Sequence, residues 1–190
     1  MSLSKRAPFL AAALLATAVI APAPAQNAYA QDAKVKPADP PSKVLLDSWN
    51  DIGRKLTDMA EDFPEDKYTF KATPAQRTFA EQLLHASGAN YYFTNAVTGS
   101  KDKVEENPKF TSKADVVAFV KKSFGDGAAA IKAKGDKGLN DLIVDPFAHQ
   151  QVRVIDWAYG FIEHAGEHYG QLVVYYRLSG LVPPESRPKK

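Results

Sequence analysis

Four of the 190 residues are histidine (His85, His149, His164 and His168), and none is cysteine. An imidazole can bind a metal as a neutral ligand or carry a proton near neutral pH. The lack of cysteine excludes disulfides, thiolate metal sites, a cysteine nucleophile and c-type haem attachment. A first-row metal would therefore have to be held by imidazole, carboxylate and water. His164 and His168 are four residues apart. On a helix that spacing leaves them only about 40° apart on one face, close enough for both rings to reach one ion. His85 lies on a separate helical segment and completes a triad if the two segments are neighbours. Three nitrogen ligands leave a position on Zn²⁺, Ni²⁺ or Fe²⁺ for water or substrate, which separates a catalytic site from a closed structural one. The competing reading is a pair of hydrogen-bonded histidines at a helix surface, because His-x-x-x-His alone is a weak motif. No His-Glu-x-x-His is present, so a zincin-type protease would lack its general base. His149 falls in a loop and reads as a solvated or structural residue.

Polar neighbours add to the pattern. Gln171 and Tyr175 follow His168 by three and seven residues, so they share its face. Tyr175 reads first as an amphipathic tyrosine at the core edge and second as a donor to a metal-bound ligand. Glu163 and Glu167 lie farther round, toward water. Asn90 sits on an apolar stripe, where it needs a partner, either in packing or in a pocket. Arg177 suits a pairing or capping role near a helix C-terminus.

The elements that would carry these groups are helical. Val44, Leu45, Trp49, Ile52, Leu56, Met59 and Phe63 recur at three- and four-residue spacing, with Ser42 as the expected N-cap and Pro64 as the stop. Tyr68 and Phe70 lie in a connector that reaches Thr73. A second helix is expected from about Pro74, capped by Thr73, to Val97, with Gly99 at its end. A third is expected from Ser112 to about Lys134, opened by a Ser112/Asp115 box and weakened midway by Gly125 and Gly127. The stretch from Gly135 to Ile155 reads as a long loop, a kind of segment that is often functional. The last helix is expected from Asp156, as N-cap, to Ser179, stopped by Gly180 and Pro183-Pro184. Four amphipathic helices without a convincing strand indicate an all-α, four-helix bundle with its connection pattern open.

The chain begins with Lys5 and Arg6, an apolar run from Phe9 to Ile20, and a Pro/Ala-rich stretch ending Ala28-Tyr29-Ala30. That order matches a signal peptide, residues 1–30, cleaved after Ala30, with Ala23-Pro24-Ala25 as a second site. The run is shorter than the roughly 20 residues that span a bilayer, so no membrane anchor is expected after cleavage. Residues 31–41 read as a flexible, proline-bearing linker, and residues 42–188 as the bundle. Lys and Arg number 24 against 22 Asp and Glu, and removing Lys5 and Arg6 leaves 22 against 22. A balanced domain gives no electrostatic case for nucleic-acid binding. A periplasmic or secreted location is expected.

Two segments carry a family resemblance. His164-Ala165-Gly166-Glu167-His168-Tyr169-Gly170-Gln171-Leu172-Val173-Val174-Tyr175-Tyr176-Arg177, with Gly180 and Pro183-Pro184, resembles the last helix of DinB-like proteins. Phe79-Ala80-Glu81-Gln82-Leu83-Leu84-His85 resembles the second-helix segment that bears that family's first histidine. The resemblance implies a four-helix bundle that holds one divalent metal ion (Zn, Ni or Fe) on His85, His164 and His168. It also implies a homodimer, while the open position on the metal points to hydrolase-type chemistry on an unknown small-molecule substrate. The alternatives it leaves open are a non-catalytic metal-binding module and a thiol-dependent S-transferase. The expected export weakens the last, since low-molecular-weight thiols are largely cytoplasmic.

Overall fold

Caps and prolines decide where each helix begins. The computed structural model describes residues 36–105, 107–109 and 112–188. The expected signal segment, 1–30, lies outside them. The first helix, α1, is Pro41–Asp62, and its N-cap is Pro40 rather than Ser42. Proline suits the first helical position, where an amide N–H would lack an intrahelical acceptor anyway. Ser42 therefore lies within the first turn, and its backbone N–H donates to Asp136 Oδ1 at 2.8 Å.

The second helix, α2, is Phe79–Thr98, so it starts later than Pro74. Two start signals compete here, Thr73-Pro74 and Thr78-x-x-Glu81. The second wins because it closes a full capping box. Glu81 N–H donates to Thr78 Oγ1 at 3.1 Å, and Thr78 N–H donates to Glu81 Oε2 at 2.7 Å. The connector then folds back on the helix start, with Phe79 N–H on Phe70 O and Ala80 N–H on Tyr68 O. Gly99 ends α2 at φ 75°, as its position suggests.

The third helix, α3, is Lys113–Gly138, with the Ser112 hydroxyl accepting from Asp115 N–H. It runs past Lys134 and kinks at Gly135, where φ is 55°. Gly127 does not merely weaken it. A Cβ at that position would lie 2.1 Å from Cζ2 of Trp49, so glycine is what lets α1 and α3 approach.

The expected loop contains a short β-hairpin, a small addition to the all-α bundle. Strand β1, Leu142–Val144, pairs antiparallel with β2, Gln151–Arg153. Ile143 and Val152 face each other and are half-buried, while their neighbours are exposed. Three-residue strands are too short to show a clear alternation in sequence. The Asp145 carboxylate shapes the connecting turn by accepting from Phe147 N–H at 2.7 Å and Ala148 N–H at 3.1 Å.

The last helix, α4, is Val154–Leu178 and starts before Asp156, with Arg153 as its N-cap. The Asp156 carboxylate clasps the Arg153 guanidinium through two bonds of 2.7 Å. Gly180, at φ 74°, lies just past the end. Of the four α-helices among the described residues, α1 packs on α3 and α4, and α2 packs on the same two. Consecutive helices α1 and α2 thus occupy opposite corners of the four-helix bundle, as do α3 and α4. The seam between α2 and α4 is the one that matters for the histidines. No helix among the described residues is long and apolar enough to cross a membrane.

Candidate metal centre

Helix α2 presents His85 and α4 presents His164 and His168, and the bundle brings all three together. One ring nitrogen from each lies within 4.8 Å of the other two. The ring centroids are 4.4 Å apart for His164 and His168, 4.9 Å for His85 and His168, and 5.5 Å for His85 and His164. The Nε2 atoms of His164 and His168 are 3.0 Å apart. Two nitrogens bound to a tetrahedral zinc at its usual bond lengths stand roughly 3.3 Å apart, so these two already face a common point at nearly that spacing.

The protonation state suits ligation. His168 is only 7% exposed, and its pKa is pushed down to about 4. Loss of hydration is the main cause, followed by the two neighbouring imidazoles and Arg77. At neutral pH the ring is therefore uncharged, and a neutral imidazole is the form that binds a metal.

Sequence reasoning missed one participant, Gln82. This side chain is 2% exposed and stands three residues before His85, on the same face of α2. Its amide meets His168 Nδ1 and Gln171 Oε1. A polar residue one turn before a candidate ligand was the available signal, overlooked because α2 reads as an apolar stripe. Gln171, expected on the face of His168, is the far end of this chain of side chains.

The other candidates are placed elsewhere. The Tyr175 hydroxyl donates to the backbone oxygen of Arg77 at 2.6 Å, so its proton is used in tying α4 to the start of α2. Asn90 is fully buried and donates to Ser123 Oγ at 3.3 Å, which links α2 to α3. Glu163, Glu167 and Arg177 are exposed. His149 is exposed in the hairpin turn, at φ 53°, and does not join the cluster.

Two cavities lie near this seam. The larger, about 650 Å³, is bordered by Lys71, Arg77, Glu81 and Lys109 and includes none of the three histidines. The smaller, about 290 Å³, has His164 in its wall.

A family model described as the DinB superfamily matches residues 50–172. The chain belongs to the DinB superfamily. Its bundle is similar to the crystal structure of a DinB-like protein from Bacillus cereus, with a TM-score of 0.65 and 19% identity over 75% of this chain and 95% of that one. A DinB-like protein from Bacillus subtilis matches at a TM-score of 0.61 and 19% identity, over 77% and 99% of the two chains. YfiT from Bacillus subtilis, described as a probable metal-dependent hydrolase with an unusual four-helix bundle topology, matches at 0.56 and 12%, over 77% and 94%. No curated protein matches the sequence. At these identities the likeness to solved structures speaks for the DinB-like fold.

Proposed function

We propose that this protein binds one divalent metal ion through His85, His164 and His168 and uses it in hydrolase-type chemistry on a small molecule. The observation that carries this reading is the convergence of three imidazole nitrogens, from two helices, within 4.8 Å. The description of YfiT as a probable metal-dependent hydrolase agrees with it. The donor set fits Zn²⁺, Ni²⁺ or Fe²⁺, since neutral imidazole suits all three. A metal held there supplies a Lewis acid that polarises a bound group and makes water more acidic.

The chain's own residues supply position and exclusion. His168 ligating through Nε2 carries its proton on Nδ1, where the Gln82 amide, turned to present Oε1, accepts it. The Gln171 amide, turned likewise, donates its own N–H to that same Gln82 oxygen. Burial of the His168 ring keeps it neutral and ready to ligate. Among the described residues no carboxylate joins the triad, and this favours the second reading, a metal-binding module without turnover.

Export belongs to the same proposal, supported by Lys5, Arg6, the run from Phe9 to Ile20 and the Ala28-Tyr29-Ala30 site. An N-terminus beginning at Gln31 in the periplasmic or secreted fraction is the expected outcome, and an intact N-terminus in the cytoplasm would overturn it. The enzyme reading is tested with zinc-, nickel- and iron-loaded protein against esters, amides, phosphoesters and thiol–electrophile pairs. Hydrolysis by loaded wild type, absent in His168→Ala, is the expected outcome. Turnover only with thiols would make it an S-transferase, and no turnover in any class would leave the module.

A further inference from the structure

Glycine inside a helix is destabilising relative to alanine, so a mid-helix glycine invites a reason. Gly160 lies in α4, one turn before His164 and on the same face. A Cβ added there would meet nothing within 4 Å. Gly160 and His164 line one and the same cleft. The missing side chain opens the floor of the 290 Å³ cleft, whose walls are Ala89, Tyr92, Phe147, Trp157, Phe161 and His164.

These walls are unusual for a surface feature. Phe147 comes from the hairpin turn and is 60% exposed, yet its ring stands 4.6 Å from Tyr92 and 6.1 Å from Trp157. Trp157 in turn meets Phe161 edge-on at 5.2 Å, and Phe161 stands 6.4 Å from His164. The indole N–H of Trp157 is buried without an acceptor among the described residues. Aromatic walls thus run from the hairpin to a triad histidine without a break. The volume, about 290 Å³, lies at the lower edge of the range for small-molecule sites, about 300–1,000 Å³.

We propose that this cleft receives an aromatic, or similarly planar and apolar, group of the small molecule whose polar group sits at the triad. The inference rests on the metal reading above for the second half of that statement only. Aromatic faces and edges favour a ring between them, and His164 joins the two halves of the site.

The test uses two hydroxamates with the same metal-binding head. Dissociation constants of acetohydroxamate and benzohydroxamate are measured by calorimetry on zinc-loaded protein. Benzohydroxamate is expected to bind at least tenfold tighter. Gly160→Leu, which fills the cleft, is expected to bring the ratio of the two constants below about twofold, with zinc content and thermal melting as controls for folding. Phe147→Ala, at an exposed position, is expected to cut the ratio severalfold. A wild-type ratio near one, or a ratio that survives in Gly160→Leu, overturns the proposal. If the protein takes up no zinc, saturation-transfer NMR with indole on the metal-free chain decides. Contact that Gly160→Leu abolishes keeps the cleft and removes only the triad, while no contact with wild type removes the cleft. A homodimer that Phe147→Ala dissociates, seen by light scattering, would make the cleft an interface between copies and overturn it too.

Discussion

Between α1 and α3, a glycine marks the place where another side chain arrives. Along α4, a glycine marks a place where none does. A Cβ at Gly53 would sit 2.8 Å from the Phe124 ring, and one at Gly127 would sit 2.1 Å from Trp49. The Trp49 indole N–H also donates to Phe124 O at 2.8 Å, so the ring cannot swing aside without losing a buried bond. At Gly160, Gly166 and Gly170 the space is open. The α1–α3 seam is a close-packed wall. The α2–α4 seam holds His85, His164, His168, Gln82 and Gln171, with a cleft beside it. One seam secures the fold, and the other leaves room for chemistry.

That contrast can be broken in several ways. Apart from the three histidines themselves, the largest effect is expected at Gln82 in the α2–α4 seam. Gln82→Leu removes the acceptor for His168 Nδ1–H and should weaken zinc binding by about 10–100-fold. Gln82→Glu keeps an acceptor and should restore much of it. A titration with a competing chelator measures both, and equal affinity in all three proteins would remove Gln82 from the site.

Gly127→Ala should cost about 2 kcal/mol through overpacking against Trp49, lowering Tm by roughly 4–8 °C. Gly160→Ala should act in the opposite direction, adding about 0.5–1 kcal/mol, because the helix gains and no neighbour is touched. Calorimetric melting of the two variants side by side tests the contrast, and a loss of stability in both would erase it.

The smallest effect belongs to neither seam. Arg187 donates to Asp62 Oδ1 at 2.7 Å and to Oδ2 at 2.6 Å. That bond holds the Asp62 carboxyl below its ordinary value. Both side chains are about a third or more exposed, so solvent screening keeps the pair's contribution small. A depressed carboxyl stabilises the fold above the unfolded-state pKa, about 3.9, and the gain is lost as pH falls through the folded value. The difference in stability between wild type and Arg187→Ala should therefore be present at pH 7 and close below about pH 4. A gap independent of pH would contradict this.

Much of this could be read from the residues alone. His164 and His168 were legible because helical spacing puts positions four apart on one face. Gly180 and Pro183-Pro184 marked the end of α4 because neither can extend a helix. The apolar stripe from Leu45 to Phe63 is long enough to rise above chance. The start of α2 was harder, because Thr73-Pro74 and Thr78-x-x-Glu81 are both valid openings and only the contacts of Phe79 and Ala80 with the connector decide between them. The hairpin was hidden by its length, since three-residue strands carry almost no period. The diagonal placement of α1 and α2 depends on packing between helices far apart in sequence. The same is true of the bond from Gln82 to His168, which joins residues on two different helices.

In the proposed reading, α2 and α4 together form one metal site. Zinc titration of chelator-treated protein tests it most directly, comparing wild type with His85→Ala, the variant that removes the only ligand α2 contributes. About one tightly bound zinc per wild-type chain is expected, with binding weakened by at least a hundredfold in His85→Ala and melting in the absence of metal little changed. No stoichiometric binding by wild type, or equal binding by the two proteins, would contradict it.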